Sequence, residues 1–525
     1  MDVAPGSMRY CAKLARARII PDMPNSFAYL VFFASPLLVY LLFRRMPPAA
    51  ALGWSLVLGY LLLPTRAGLD LPMVPLIDKD GMPVLTAALM LYLGVGAAVG
   101  GRRGRAANLA APEPVGDPSV RRGRGIINAL IVLLFISPVW TVFQNGDPII
   151  AGPVVIHGLQ AYDAISVIAS FGIALAPFLL ARRYFASPES HVLLLKILVL
   201  AMIGYSLPIL YELRMSPQLN QIFYGFFPHS FEQHVRAGGY RPVVFLPHGL
   251  WLSILIAMSA LAAATLWRQR MSEGVRAGQW FFAAIYLFVI LVLSKSLGAL
   301  SIVVCLVPVV ILLGVRGQLL VAGVLAGIVL LYPMLRGAGW IPVDQVEAIA
   351  QSVSAERASS LMFRLDQEDD LLLKAQQRPL VGWGSWGRNH IYDPDTGAIL
   401  SVTDGAWIII IGSFGWLGYI AKFGLLTLPI ILLALRRKML EVTPATAGLA
   451  LVMATNLFDL LPNATLTPMT WLIGGALAGR YAYVARPAVA AAAGGVVAAG
   501  PRSWVMVTDV LRPDGGVARR PATSK

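Results

Sequence analysis

Apolar stretches of roughly 15–24 residues follow one another along almost the whole chain, each long enough to span a lipid bilayer as a helix. They lie near 26–43, 49–63, 82–100, 126–143, 161–180, 192–210, 243–266, 280–294, 297–314, 318–335, 416–435, 444–461 and 465–481. No soluble core absorbs so much apolar chain. With 57% of residues hydrophobic, 13% charged and a mean hydropathy of +0.71, the 525 residues predict an all-α, polytopic membrane bundle. The expected number of transmembrane helices is about 12–13. Cys11 and Cys305 are too few and too isolated to form a disulfide framework or a metal set.

The net charge of +15 resides largely in short runs between spans: Arg44-Arg45, Arg102–Arg105, Arg121–Arg124, Arg182-Arg183, Arg268–Arg270 and Arg436–Lys438. These fall on alternate connections, the arrangement that holds positive loops in the cytoplasm, and so the charge argues for membrane orientation and against nucleic acid as a partner. Three polar intervals then face the other side: 64–81, 211–242 and, the largest, 336–405. The last holds ten acids against six bases, the reverse of the cytoplasmic loops. Residues 1–25 form an N-terminal segment, 26–335 and 406–485 carry the spans, and 486–525, rich in Ala, Gly and Pro, reads as a disordered cytoplasmic tail. Thirteen spans place the N-terminus outside, which runs against Arg9, Lys13, Arg16 and Arg18.

Arginines on the outward side run against the topological grain and require a reason. They are Arg236, Arg241, Arg364, Arg378 and Arg388, and their guanidinium forks suit phosphate oxygens, which at a membrane face belong to lipid head groups or lipid diphosphates. The competing reading pairs each with a loop acid. His248, after Pro247, is a candidate phosphate donor or base, or a satisfied buried histidine; His229, His234 and His390 read as loop surface. Asp404, just ahead of Trp407, is either a carboxylate that orients a hydroxyl or the N-cap of the next helix. The run Asp366–Asp370 can be read as a metal site, but reads better as the start of a short helix that Pro379 stops, preceded by a surface helix over 344–363. Asp459, with Asn456 and Asn463, either lines a cavity or caps.

The order Arg364, Pro379-Leu-Val-Gly-Trp-Gly384, Asp404-Gly405, Gly415-Trp-Leu-Gly418 resembles the O-antigen ligase/polymerase superfamily of bacterial surface polysaccharide assembly. Upstream, Arg241-Pro-Val-Val-Phe-Leu-Pro-His248 and Leu293-Ser-Lys-Ser-Leu-Gly-Ala299 loosely match two earlier motifs. The likeness is good over 290–435, weak over 236–260 and topological elsewhere. It implies a metal-independent membrane glycosyltransferase with no cofactor, in the bacterial inner membrane. The donor would be a glycan on undecaprenyl diphosphate presented at the periplasmic face. Arg241 and Arg364 would hold the leaving phosphates, with Arg236, His248, Arg378 and Arg388 as further substrate contacts, and Asp404 would orient the acceptor. A flippase and a chain-length regulator are the implied partners, besides membrane lipid. Ligase-type members have His where this chain has Asp404, which favours polymerisation of repeat units over ligation to another acceptor. A transporter or flippase would instead line a path with mid-span ionisable groups, of which Lys295 and Lys422 are the main examples here.

Overall fold

The structure is a computed structural model that describes residues 23–71, 74–96, 113–236, 238–353 and 355–483. The expected cytoplasmic tail and nearly all of the N-terminal segment lie outside these residues. The protein is an all-α bundle. Seven of its described helices are long and apolar enough to cross a membrane: α1 (Ser26–Arg45), α4 (Pro118–Gln144), α5 (Ala161–Tyr184), α6 (Pro188–Met215), α8 (Gly249–Ser272), α11 (Val315–Gly337) and α14 (Ala406–Leu435). Six more apolar helices occupy the other expected spans but are shorter, at 12–16 residues: α2 (Pro48–Leu62), α3 (Gly81–Tyr92), α9 (Gly278–Leu293), α10 (Leu297–Leu312), α15 (Pro444–Asp459) and α16 (Pro468–Ala482). A straight crossing takes about 20 residues, so length alone qualifies only the seven.

Burial separates inner helices from outer ones. α8 is enclosed nearly all round, whereas α1 bares Leu30, Phe33, Leu37 and Leu41, and α11 bares Leu320, Val324, Ile328 and Leu331. Bare apolar residues at helical spacing are what a lipid-facing stripe requires. α14 sits at the centre, packed against α4, α11 and α16. If the thirteen apolar helices cross in turn, the arginines at the ends of α1, α5, α8 and α14 and at the start of α4 all fall on one face.

The opposite face carries a layer of short elements. Between α6 and α8 lie α7 (Leu219–Tyr224) and a two-strand ribbon, β3 (Val235–Arg236) with β4 (Gly239–Tyr240), in which Val235 pairs with Tyr240. Between α11 and α14 lie α12 (Val343–Val353) and α13 (Ala355–Gln376). A hairpin between α4 and α5 also joins this layer: β1 (Ile149–Ala151) with β2 (Val154–Ile156), Ile149 opposite Ile156. Sequence reading had not marked that connection. The intervals are tied together: Arg66 Nη2 donates to Pro228 O at 3.3 Å, and Lys79 Nζ to Phe245 O at 3.1 Å.

Two expectations change here. Asp366 starts no helix, because α13 runs through it; Asp369 instead pairs with Arg336 Nη2 at 2.8 Å, pinning α13 to the end of α11. And α14 begins at Ala406 rather than near 416, but it breaks at Gly415, whose φ of 61° and ψ of −163° are non-helical. The Pro379–Gly384 turn enters that break. Trp383 N donates to Gly412 O (2.8 Å) and Gly384 N to Ser413 O (2.9 Å), while Trp416 N and Leu417 N donate to Pro379 O and Leu380 O (2.8 and 3.1 Å). The turn thus satisfies the backbone groups that the break orphans, as buried non-helical backbone must within a membrane. The approach is backbone to backbone. A Cβ on Gly415 would lie 2.3 Å from Leu380 C, and one on Gly382 would lie 2.5 Å from Ser413 C; both glycines have left-handed φ.

Candidate functional site

Arg364 projects from α13 toward the residue pair that precedes α14. Its Nε lies 3.1 Å from Asp404 Oδ2, and its Nη1 reaches Pro462 O at 3.4 Å and Asn463 Oδ1 at 3.5 Å. Asn463 is itself held by Asp459, accepting at 2.9 Å, and Thr465 Oγ1 donates to the other Asp459 oxygen at 2.7 Å. Asp459 therefore positions the turn that supports Arg364. The Arg364 and Asp404 side chains remain 34% and 35% exposed. An ion pair that open is worth about 1 kcal/mol or less, so stability is a poor reason for it.

Asp404 does not cap α14. The N-cap is Gly405, without a side-chain cap bond, and the first-turn amide of Ala406 is satisfied by Leu460 O and Asn463 O. The capping role is not realised; Asp404 instead pairs with Arg364.

The loop before α8 supplies the second half. Arg241 is buried; its Nη2 donates to Lys295 O at 3.3 Å and its backbone N to His234 O at 2.7 Å. His248 caps α8, its Nδ1 accepting from Leu250 N at 3.0 Å. A neutral ring so engaged carries its proton on Nε2, which makes it a donor and removes the lone pair that a base needs. Burial pushes its pKa down to about 3, aided by His234, His229, Arg241 and Arg364. Both arginines thus act electrostatically on one imidazole from different loops. Sequence reading missed the clustering: the His229 and His234 rings lie 4.9 and 4.6 Å from that of His248, and His234 is fully buried rather than loop surface. Only the fold-back of the β3–β4 ribbon brings them together.

Arg378 and Arg388 belong elsewhere. Arg378 Nη1 donates to Gln144 O and, at 2.8 Å, to Asn145 Oδ1, with its guanidinium 4.5 Å above the Trp383 ring. Arg388 is fully buried; Nε, Nη1 and Nη2 donate to Trp383 O, His157 O and Asp147 O at 3.0, 2.7 and 2.8 Å. Both tie the Pro379–Gly384 turn to the β1–β2 connection; Arg388, sealed in with its donors spent on carbonyls, is removed from the substrate-contact set. Arg236 lies on β3, and its side chain is outside the described residues.

The acidic run on α13 splits by helical face. Glu368 turns inward to Trp407, Nε1 to Oε1 at 3.2 Å, and Gln367 Oε1 accepts from Val402 N at 2.8 Å. Among the described residues no group of three or more His, Cys, Asp or Glu side chains is arranged to hold a metal ion. Lys422, on α14, stacks on Phe171 at 4.3 Å and Phe414 at 5.9 Å.

The arrangement is a half-open Arg364–Asp404 pair whose positive charge, with that of the buried Arg241, reaches the neutral His248 imidazole. It can bind an anion with charge-assisted hydrogen bonds and hold a hydroxyl beside it. The sequence matches no protein-family model and no curated protein.

Proposed function

We propose that the protein polymerises oligosaccharide repeat units carried on undecaprenyl diphosphate, as a metal-independent glycosyltransferase at the periplasmic face of a bacterial inner membrane, yielding O-antigen or exopolysaccharide. The observation that carries this reading is the half-open contact of Arg364 with Asp404, whose arginine charge also reaches His248 beside the buried Arg241. The donor's diphosphate is already a leaving group. The acceptor oxygen forms the new bond to the anomeric carbon as the bond to phosphate breaks, and the diphosphate takes the electron pair. Charge then grows on the phosphate oxygens, where Arg364, Arg241 and the His248 Nε2–H donate. Asp404 accepts the hydrogen bond of the acceptor hydroxyl, orients its lone pair at the anomeric carbon and takes its proton as the new bond forms, releasing it to solvent. Aspartate where ligase-type members of the resembled superfamily have histidine weighs for a polymerase over a ligase.

The test is replacement of Arg364 by Ala and by Lys with membrane insertion verified, followed by polymer length in cells. Loss in both supports the reading, because Lys lacks the bidentate fork. Long polymer in both variants sinks it. Reporter fusions within 340–400 should register outside the cytoplasm; cytoplasmic signals there would overturn the orientation on which the scheme depends.

A further inference from the structure

One buried carboxyl next to the cluster is left unused by this mechanism. Glu368 lies one helical turn after Arg364 on the same face of α13, and Trp407, in the first turn of α14, follows Asp404 by three residues. Two rungs therefore cross between α13 and the start of α14: Arg364 with Asp404 outside, Glu368 with Trp407 within. Glu368 is 6% exposed; its Oε1 accepts from Trp407 Nε1, and its Oε2 is buried without a hydrogen-bond partner. An ionised oxygen in that position forfeits hydration, and only the Tyr332 hydroxyl on α11, which interacts with the carboxyl without an ordinary hydrogen bond to Oε2, offsets part of the loss. The surroundings suit a neutral acid that carries its proton on Oε2.

The charged and titratable groups facing it are Asp404 ahead of α14, Arg336 and the Tyr332 phenol on α11, and Asp369 on its own helix. Burial raises its pKa to about 7; Asp369 and Asp404 push the same way, while the Trp407 bond and Arg336 pull down. The group therefore changes charge near neutrality, beside the pair that would meet a polyanion.

We propose that Glu368 is a positioning residue for the donor's diphosphate: its protonation sets the net charge around Arg364 and Asp404, and diphosphate binding draws a proton from solvent onto it. This rests on the diphosphate reading of the site. Neutral Glu368 leaves Arg364 and Asp404 balanced, with Arg241 in excess. Ionised Glu368 adds a negative charge that opposes the ligand. Linkage makes the effect reciprocal, so bound diphosphate stabilises the neutral acid and affinity falls as pH rises through the titration.

The experiment uses the purified full chain in detergent with farnesyl diphosphate as probe. Calorimetry in two buffers of different ionisation enthalpy, at pH 6, 7 and 8, compares wild type, Glu368→Gln and Arg364→Ala. Gln keeps an oxygen for Trp407 Nε1 but cannot ionise. Wild type should take up more protons than Glu368→Gln at pH 7, and its affinity should fall from pH 6 to 8 by about tenfold more than the variant's, a one-unit coupling. The probe's own titration is common to both proteins. Trp407→Phe, which removes a bond to the ionised form, should move the wild-type break to higher pH. Equal proton uptake in wild type and Glu368→Gln, with binding still lost in Arg364→Ala, overturns the Glu368 role alone. Failure of wild type to bind, or binding indifferent to Arg364, overturns the diphosphate reading and this proposal together.

Discussion

Arg364 and Arg388 belong to the same outward interval and look alike in the sequence, yet they occupy opposite extremes of the structure. Arg388 is sealed in, and three of its guanidinium nitrogens donate to backbone carbonyls. Arg364 is a third exposed, with one close contact to a carboxylate and two long ones to a turn. The difference teaches where to look in such an interval. The densest motif, Pro379–Gly384, is scaffold; the sparse Arg364 and Asp404 flank it and are what it holds in place.

Exchanging the two kinds of damage is the strongest way to break this contrast. Arg364→Ala should lower polymer formation by at least about 100-fold while leaving the thermal unfolding midpoint in detergent near wild type. A parallel loss of folded protein would make Arg364 another scaffold residue. Gly415→Ala, and Gly382→Ala likewise, should cost roughly 3–5 kcal/mol through backbone overlap and left-handed φ, read as loss of monodisperse protein. Arg388→Ala should cost about 3 kcal/mol by stranding buried carbonyls, seen as a lowered unfolding midpoint, with residual activity in proportion to folded protein. Asp404→Asn sharpens the comparison. Because Asp404 caps nothing, stability should stay within about 0.5 kcal/mol, while polymerisation drops about 10–100-fold.

The smallest effect concerns pH. His248 titrates near 6.5 when unfolded and about 3 when folded. Unfolded chains therefore bind its proton first as pH falls. The stability it contributes is full above about 6.5 and is lost progressively toward 3. His248→Asn should flatten the acid side of a midpoint-versus-pH curve over that window; an unchanged slope would place the imidazole in solvent.

The all-α class and the expected spans were legible because lipid demands long apolar runs and arginine marks alternate connections. Motif order brought Arg364 and Asp404 into one implied site with separate roles, but their ion pair is the outcome of the competing reading, in which an outward arginine pairs with a loop acid. Other features were hidden for identifiable reasons. Asp366 has the local look of a helix start, but the Arg336–Asp369 pair and the inward turn of Glu368 carry α13 straight through it. Gly415-Trp-Leu-Gly418 resembles a helix opening because the helix does restart there; the possible N-cap at Asp404 was the local sign of the first segment, but nothing local showed that the two segments join across a break. The imidazole cluster of His229, His234 and His248 depends on a fold-back that no periodicity encodes. Arg388 was read as a substrate contact because a guanidinium suits a carbonyl cage as well as a phosphate, and sequence does not distinguish them.

The break at Gly415 also bears on how the chain enters a membrane. The amides of Trp416 and Leu417 and the carbonyls of Gly412 and Ser413 find their partners in residues 379–384, which are synthesised earlier and lie on the far side. In an unbroken helix these four groups would pair with one another, Trp416 N with Gly412 O and Leu417 N with Ser413 O. Inserted alone, α14 is therefore free to close into a regular helix, and the break opens as the turn packs into it. One glycine lets the same segment serve as a plain span first and as the seat of the turn afterwards.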